Sequence, residues 1–348
     1  MPKVAIVGTT TWGITLGVAL AVRQAEVRLW ARTEDEATRL LNAKFPSESL
    51  ANVTLPSRLS VTSSLDEALA GAKAVILAVP SQRMRENIKA VAPHLDSSML
   101  IVSAAKGLEM ETNLRMSQVI AEEVPPELHP NICVLSGPNL SQEILRDLPA
   151  ATVVAAHAEA VAKKAQKLLK TPNLCIYTNS DIIGVELGGS LKNIIALGAG
   201  IVDGLGYGDN AKATFITRGL TEITALGVAL GANPLTFSGL TGLGDLVATC
   251  SSPLSRNHYV GVELTKGRSL KKITGSMSGV AEGVTTTLVA YNLAQRLKLE
   301  MPITEKIYRV LYQGLSPKDA ALELMEANVK HELSGRRWRL FSFFKRKR

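Results

Sequence analysis

Cysteine is scarce in this chain: only Cys133, Cys175 and Cys250 among 348 residues, far apart. That excludes a disulfide framework and a Cys-rich metal site, and it suits a reducing compartment. Aromatic residues are only 4% against 27 glycines, a balance that favours an α/β protein over a β-sandwich. The five histidines show no ligand spacing, so no metal is expected. There is no Gly-x-Ser-x-Gly elbow and hence no sign of nucleophilic catalysis. No long apolar run is uninterrupted: the best window, 182–202, contains Glu186, Lys192 and many glycines, and makes a poor membrane span. The chain opens straight into a strand without a signal-peptide pattern, so a soluble, cytoplasmic protein is expected. Acidic residues are missing from 336–348, where seven cations stand among four aromatics. That tail accounts for nearly all of the net charge of +8 and leaves the body close to neutral. A nucleic-acid enzyme spreads cations over a domain face, so nucleic acid is not an expected partner.

What is present points to two domains, as the length suggests. Short β-branched runs at 4–7, 27–30, 74–79, 100–103, 132–135 and 152–155 alternate with amphipathic stretches such as Met84, Ile88 and Val91. Continuous apolar strands separated by helices imply a doubly wound, parallel-rich sheet. Past Ser180 the strand signals stop and helical periodicity takes over, for example at Ile303, Ile307, Val310 and Leu311. The reading is a dinucleotide-binding α/β domain of Rossmann type over 1–180, an all-α substrate and catalytic domain over 181–333, and a disordered basic, aromatic tail over 334–348. The cleft between the domains is the default site.

Several segments have residue types suited to chemistry there. Gly8-Thr9-Thr10-Thr11-Trp12-Gly13 follows the first strand and opens a helix, as a pyrophosphate-binding turn does, although Thr10 takes the place of the middle glycine. By itself it is equally a tight corner that binds nothing. Arg32, where an acid for the ribose hydroxyl is usual, suits a 2′-phosphate and so NADPH; it is equally a solvated strand-end arginine. Lys192 is more informative. Its helix is apolar or small on every side, and Glu186 is too far round to pair with it, so the cation reaches a cleft or a distant partner, or else snorkels to a domain edge. Gly239–Asp245 reads as a flexible loop ending in a carboxylate that orients Lys192, or as a helix cap. Ser255-Arg256-Asn257 offers a hydroxyl, a guanidinium fork and an amide, a set that binds phosphate or simply forms a polar turn. Lys106-Gly107 stands at the carboxyl edge of the sheet.

In that order these segments resemble NAD(P)-dependent glycerol-3-phosphate dehydrogenase of the bacterial type, to about residue 330. Ser103-Ala-Ala-Lys106-Gly107-Leu108-Glu109, Ser136-Gly137-Pro138, Leu191-Lys192-Asn193, Gly242-Leu243-Gly244-Asp245-Leu246 and Ala281-Glu282-Gly283 add to the match. The resemblance implies reversible reduction of dihydroxyacetone phosphate, with a product that feeds phospholipid synthesis. It makes Lys192 the proton donor and acceptor, oriented by Asp245 and Asn193, with Lys106 contacting substrate and cofactor. Gly137, Asn139, Ser255, Arg256 and Asn257 would hold the substrate. NAD or NADP would lie against Gly8, Thr11, Trp12, Gly13, Arg32, Lys106, Ser141, Arg256, Val280 and Glu282. A homodimer is also implied. The runner-up is a related dehydrogenase of another small hydroxy acid, such as a ketopantoate reductase, against which the Ser-Arg-Asn run favours a phosphate. A degenerate, non-catalytic nucleotide-binding protein is the alternative that Thr10 suggests and that intact Lys192 and Asp245 oppose. Thr10 departs from the family pattern and would put a side chain near the pyrophosphate; Asn139-Leu140-Ser141 replaces the usual Ser/Thr-Phe-Ala. The tail suits an anionic membrane surface.

Overall fold

A computed structural model of the chain describes residues 1–22, 25–42, 45, 50, 53–277 and 279–326. The tail at 334–348 lies outside them. Eight strands, β1 (Lys3–Val7), β2 (Glu26–Trp30), β3 (Leu59–Thr62), β4 (Ala74–Leu77), β5 (Leu100–Ser103), β6 (Ile132–Ser136), β7 (Ala150–Ala155) and β8 (Leu174–Asn179), form one sheet. Its order is β3-β2-β1-β4-β5-β6-β7-β8. All neighbouring pairs are parallel except β6 and β7, where Leu135 faces Val154 in antiparallel register, so β7 and β8 run against the rest.

Side chains alternate across the sheet as the two-residue period requires. Val4, Ile6, Ile76, Leu100 and Val102 enter the core on one face, and Ala5, Val7, Val75, Leu77 and Ile101 the core on the other. Both faces being covered explains the unbroken apolar runs of the inner strands. The two strands missing from the sequence reading, β3 and β8, are the sheet's edges. β3 buries only its two ends, Leu59 and Thr62, and β8 only Leu174 and Ile176, so neither carries an apolar run. The order of connections reverses between β1 and β4, which opens a crevice at their carboxyl ends.

From Ile182 the described chain is helical, built around the helix Ile182–Gly204. That helix is long and apolar enough to cross a membrane, but 94% of its most apolar window is buried inside the protein, as a core helix. The helix Arg256–Thr265 lies directly on it. A Cβ on Gly200 would come within 2.1 Å of the His258 carbonyl oxygen, and one on Gly261 within 2.0 Å of that of Leu197. Any larger residue at this crossing would push Arg256 and Asn257 away from the cleft.

Candidate active site

The switch-point crevice continues into the helical half as a cleft of about 600 Å³. Lys106, Lys192, Asn193, Asp245, Ser255, Arg256, Asn257, Asn139, Ser141, Val280 and Glu282, scattered along the chain, all line it together with Thr11 and Trp12. At its centre Asp245 is 2% and Lys192 5% exposed. Lys192 Nζ lies 2.8 Å from Asp245 Oδ1, and Lys106 Nζ lies 2.7 Å from Oδ2. The charge without a partner on its own helix thus finds one 53 residues away. Lys106 also donates to the Gly137 carbonyl oxygen at 2.6 Å, and Lys192 to the hydroxyl of Thr249. An ammonium has three donors. Each lysine spends two on protein oxygens and keeps one N–H for the cleft.

Electrostatics follow from this geometry. Burial works against the charged form of Asp245, but the Lys106 and Lys192 ammonium groups outweigh it and hold the carboxyl below its ordinary value. Burial pushes the Lys106 ammonium down to about 8 against the pull of Asp245, and Lys192 adds to the push. Burial likewise raises the Glu282 carboxyl, although Ser81 donates to it from both backbone N and hydroxyl.

Sequence reasoning missed Thr249 and Ser81. Thr249 has one helical turn between itself and Asp245, and its hydroxyl donates to the Asp245 carbonyl oxygen at 2.6 Å. The Asp-x-x-x-Thr spacing was the available signal. Ser81 is 201 residues from its partner, and no local pattern announces it. Asn193, expected on Lys192, accepts instead from Asn257 Nδ2 at 2.9 Å, while the Asn257 carbonyl oxygen accepts from Gly283 N at 2.9 Å. Asn257 thus braces the site through one N–H and its carbonyl oxygen, while its amide nitrogen has a second N–H and the residue lines the cleft. Ser255 caps the helix Arg256–Thr265, its hydroxyl accepting from His258 N at 3.2 Å. Gly239–Asp245 is no flexible loop: Leu240–Gly244 forms a π-helical turn that runs into the helix Asp245–Ser251, with Asp245 its first residue.

Gly8 takes φ +115°, where a Cβ would meet the Ala78 carbonyl oxygen at 2.6 Å; a Cβ on Gly13 would lie 2.1 Å from that of Gly8. Both outer glycines are therefore required by the corner itself. The Thr10 hydroxyl donates to the Ala78 carbonyl oxygen at 2.6 Å and accepts from Gly13 N at 3.1 Å. It is engaged as a helix cap and turned onto the protein, where an intruding side chain was expected.

The residues fit a dinucleotide. The buried indole N–H of Trp12 has no partner, a donor left over at a helix N-terminus that opens on the cleft. Arg256 Nη2 donates to the Thr11 hydroxyl at 3.1 Å, which brings a guanidinium to the same place. A second pocket of about 320 Å³ adjoins it at Thr9, Thr10, Val79 and Pro80 and contains Arg32 and Arg39.

The family model described as NAD-dependent glycerol-3-phosphate dehydrogenase N-terminus matches residues 3–162, and that of the C-terminus matches 181–322. The chain is 65% identical over 349 residues to a glycerol-3-phosphate dehydrogenase [NAD(P)+] of Dehalococcoides mccartyi, covering 100% of this chain and 97% of that one. It is 46% identical over 330 residues to the enzyme of that name from Citrifermentans bemidjiense, covering 95% and 98%. The crystal structure of glycerol-3-phosphate dehydrogenase from Coxiella burnetii superimposes with a TM-score of 0.87 at 35% identity, covering 93% of this chain and 99% of that one. By its sequence along the whole length and by its fold, the chain belongs to the NAD-dependent glycerol-3-phosphate dehydrogenase family.

Proposed function

We propose that this chain catalyses the reversible NAD(P)-dependent reduction of dihydroxyacetone phosphate to sn-glycerol 3-phosphate, as a soluble cytoplasmic enzyme supplying glycerophospholipid synthesis. The observation that carries the reading is the pair of ammonium groups, Lys192 buried and Lys106 half-buried at the cleft, each bonded to Asp245 and each with one N–H to spare.

In the reducing direction Lys192 delivers a proton to the oxygen on the substrate's second carbon, where negative charge develops. Lys106 stands beside it as a second positive charge on the same oxygen and remains mostly protonated near neutral pH. In the oxidising direction Lys192 takes up the hydroxyl proton. Asp245 keeps both amines aimed and separates two like charges. Thr249 fixes the rotamer of Lys192 from the other side. Arg256, on the first turn of its helix, grips the phosphate with the help of the helix N-terminus. Ser255, Asn257 and Asn193 hold that turn in place, and Gly137 and Asn139 border the three-carbon end.

A bound dinucleotide supplies the reducing equivalent. Trp12, Thr11, Ser141, Val280 and Glu282 would hold it in the cleft, with Arg32 in the adjoining pocket favouring NADPH. A homodimer belongs to the same reading, as does contact of 336–348 with an anionic membrane surface, for which the tail's cations and aromatics argue.

The test follows NADH and NADPH absorbance with dihydroxyacetone phosphate. Lys192→Met is expected to lower kcat by about 10³-fold, with the cofactor Kd from fluorescence titration nearly unchanged. Turnover retained in that variant overturns the role of Lys192.

A further inference from the structure

Glu186 was set aside in the sequence as too far round the helix to pair with Lys192, and the mechanism above leaves it unused. It is nevertheless a buried carboxylate, 7% exposed. Its Oε1 accepts from Ser117 N at 2.7 Å and its Oε2 from the Ser117 hydroxyl at 2.6 Å. Arg115 closes the cluster, donating to Oε2 and, at 2.9 Å, to the Ser117 hydroxyl. These contacts join the helix that carries Lys192 to the segment that begins at Lys106.

That segment has little freedom of its own. Leu108 and Arg115 pair as an antiparallel bridge, which makes 108–115 a closed loop. Gln82 holds the Leu108 carbonyl oxygen at 2.7 Å, and Arg85 grips Glu109 through two bonds of 2.8 and 2.7 Å. One turn along the helix from Glu186, the Ser190 hydroxyl donates to the Gly107 carbonyl oxygen at 3.3 Å. The adjacent Gly189 packs against both partners of this seam: a Cβ there would lie 2.1 Å from Ser136 Oγ on β6, with Lys106 Cγ in ordinary contact at 3.7 Å. Residues 186, 189 and 190 share one helix face, and that face is the one laid against the Lys106 loop. Six residues separate Glu186 from Lys192, about 9 Å along the axis.

We propose that Glu186 and Arg115 are a positioning pair that sets the distance between Lys106, carried by the sheet, and Lys192, carried by the helical half. Neither touches the cleft. Their bonds are directional and buried, so the loop cannot slide along the helix without breaking them. The proposal rests on the reading that both lysines act on one substrate oxygen. A slip of an ångström would leave each amine intact but no longer aimed at a common point, and misplacement of that size costs up to about a hundredfold in rate.

The experiment compares Glu186→Gln, Arg115→Lys, Arg115→Met and the pair Arg115→Met/Glu186→Leu with the unaltered enzyme. Each is assayed for kcat and KM with dihydroxyacetone phosphate, for NADH affinity by fluorescence, and for kcat/KM against pH. Glu186→Gln is expected to lower kcat/KM by about tenfold to a hundredfold, with cofactor affinity within about twofold. The groups facing the Lys106 ammonium are Asp245 and Lys192. With the loop released and water admitted, the alkaline limb assigned to Lys106 moves up from about 8. Arg115→Lys retains more activity than Arg115→Met. If a single variant fails to fold, the double variant, which leaves no buried ion unpaired, carries the test and is expected to show the same loss and the same shift. A folded Glu186→Gln, or failing that a double variant, with ordinary kinetics and an unmoved limb overturns the proposal. Lys192→Met run alongside keeps the two ideas apart. Its activity bears on the function assigned to the lysine, and an unaffected Glu186→Gln beside an inactive Lys192→Met removes only the positioning role.

Discussion

Asp245→Asn removes the one negative charge that buried Lys192 and half-buried Lys106 share. The substitution keeps the volume, but only one of the two positions now 2.7 and 2.8 Å from the ammonium groups remains an acceptor. The other becomes an amide N–H that faces a cation. An opposite charge in contact favours an ammonium by about one to three pK units, so losing it lowers Lys106 from about 8 into the region of about 5 to 7. Three units amount to about 4 kcal/mol between the two protonation states. The reducing reaction needs the charged form, so kcat/KM for dihydroxyacetone phosphate is expected to fall near pH 7 by about twofold for a shift of one unit and about a hundredfold for three. The alkaline limb of its pH profile is expected to move to lower pH. The assay is steady-state reduction followed by NADH absorbance across pH 5 to 9, on protein whose folding is checked by circular dichroism. A limb that stays near 8 or moves upward, or a loss equal at every pH, refutes the reasoning. Either result would mean that Asp245 does not support the lysine charge.

Glu222 is buried, and its carboxylate accepts from Ile303 N at 2.7 Å and Thr304 N at 3.1 Å. Burial nevertheless raises its carboxyl from 4.5 to about 7. A raised folded-state pKa gives stability that is fully present below 4.5 and lost as pH rises through 7, about 3 kcal/mol in all. Thermal unfolding of Glu222→Gln should therefore lack the gain that the unaltered protein shows on acidification from pH 7 to 4.5; a parallel pH dependence in both rules this out. Arg32→Ala should weaken NADPH relative to NADH by about tenfold or more, the value of one charge-assisted hydrogen bond. KM measured for both cofactors decides, and an equal loss for the two shows that Arg32 does not read the 2′-phosphate.

The sequence made those parts of the site legible where a residue conflicts with its surroundings. Lys192 is a charge on a helix with no polar face, and the conflict has meaning only if a partner arrives from elsewhere. Asp245 and Lys106 are that partner and its second claimant. Inner strands were readable for the same kind of reason, since β1, β4 and β5 bury both faces and so carry unbroken apolar runs. Edge strands β3 and β8 satisfy no such rule. The role of Thr10 was hidden because a threonine in a glycine position suggests intrusion, whereas its short hydroxyl folds back onto Gly13 N. The bond from Asn257 Nδ2 to Asn193 Oδ1 was not legible either, because the two amides lie 64 residues apart and each also bonds to a glycine backbone, Gly189 and Gly283. Ser81 and Glu282 come from the two halves of the chain, 201 residues apart, so no local pattern pairs them.

Counting charges and donors explains why the site spends a carboxylate on two amines. Two such ammonium groups without Asp245 would repel, and at least one would shed its proton. Two carboxylates would cancel both charges and leave nothing for an oxyanion. One carboxylate between two lysines leaves a single net positive charge in a dry place, with one free N–H on each side of it. A carbonyl oxygen that becomes an alkoxide gains one negative charge and accepts two hydrogen bonds. The transition state is thus matched in charge and in donor number, while the neutral carbonyl of the ground state is matched only in donors. Stabilisation that grows with the developing charge is what lowers a barrier. The same count requires the two amines to converge, which neither the sheet nor the helical half can arrange alone.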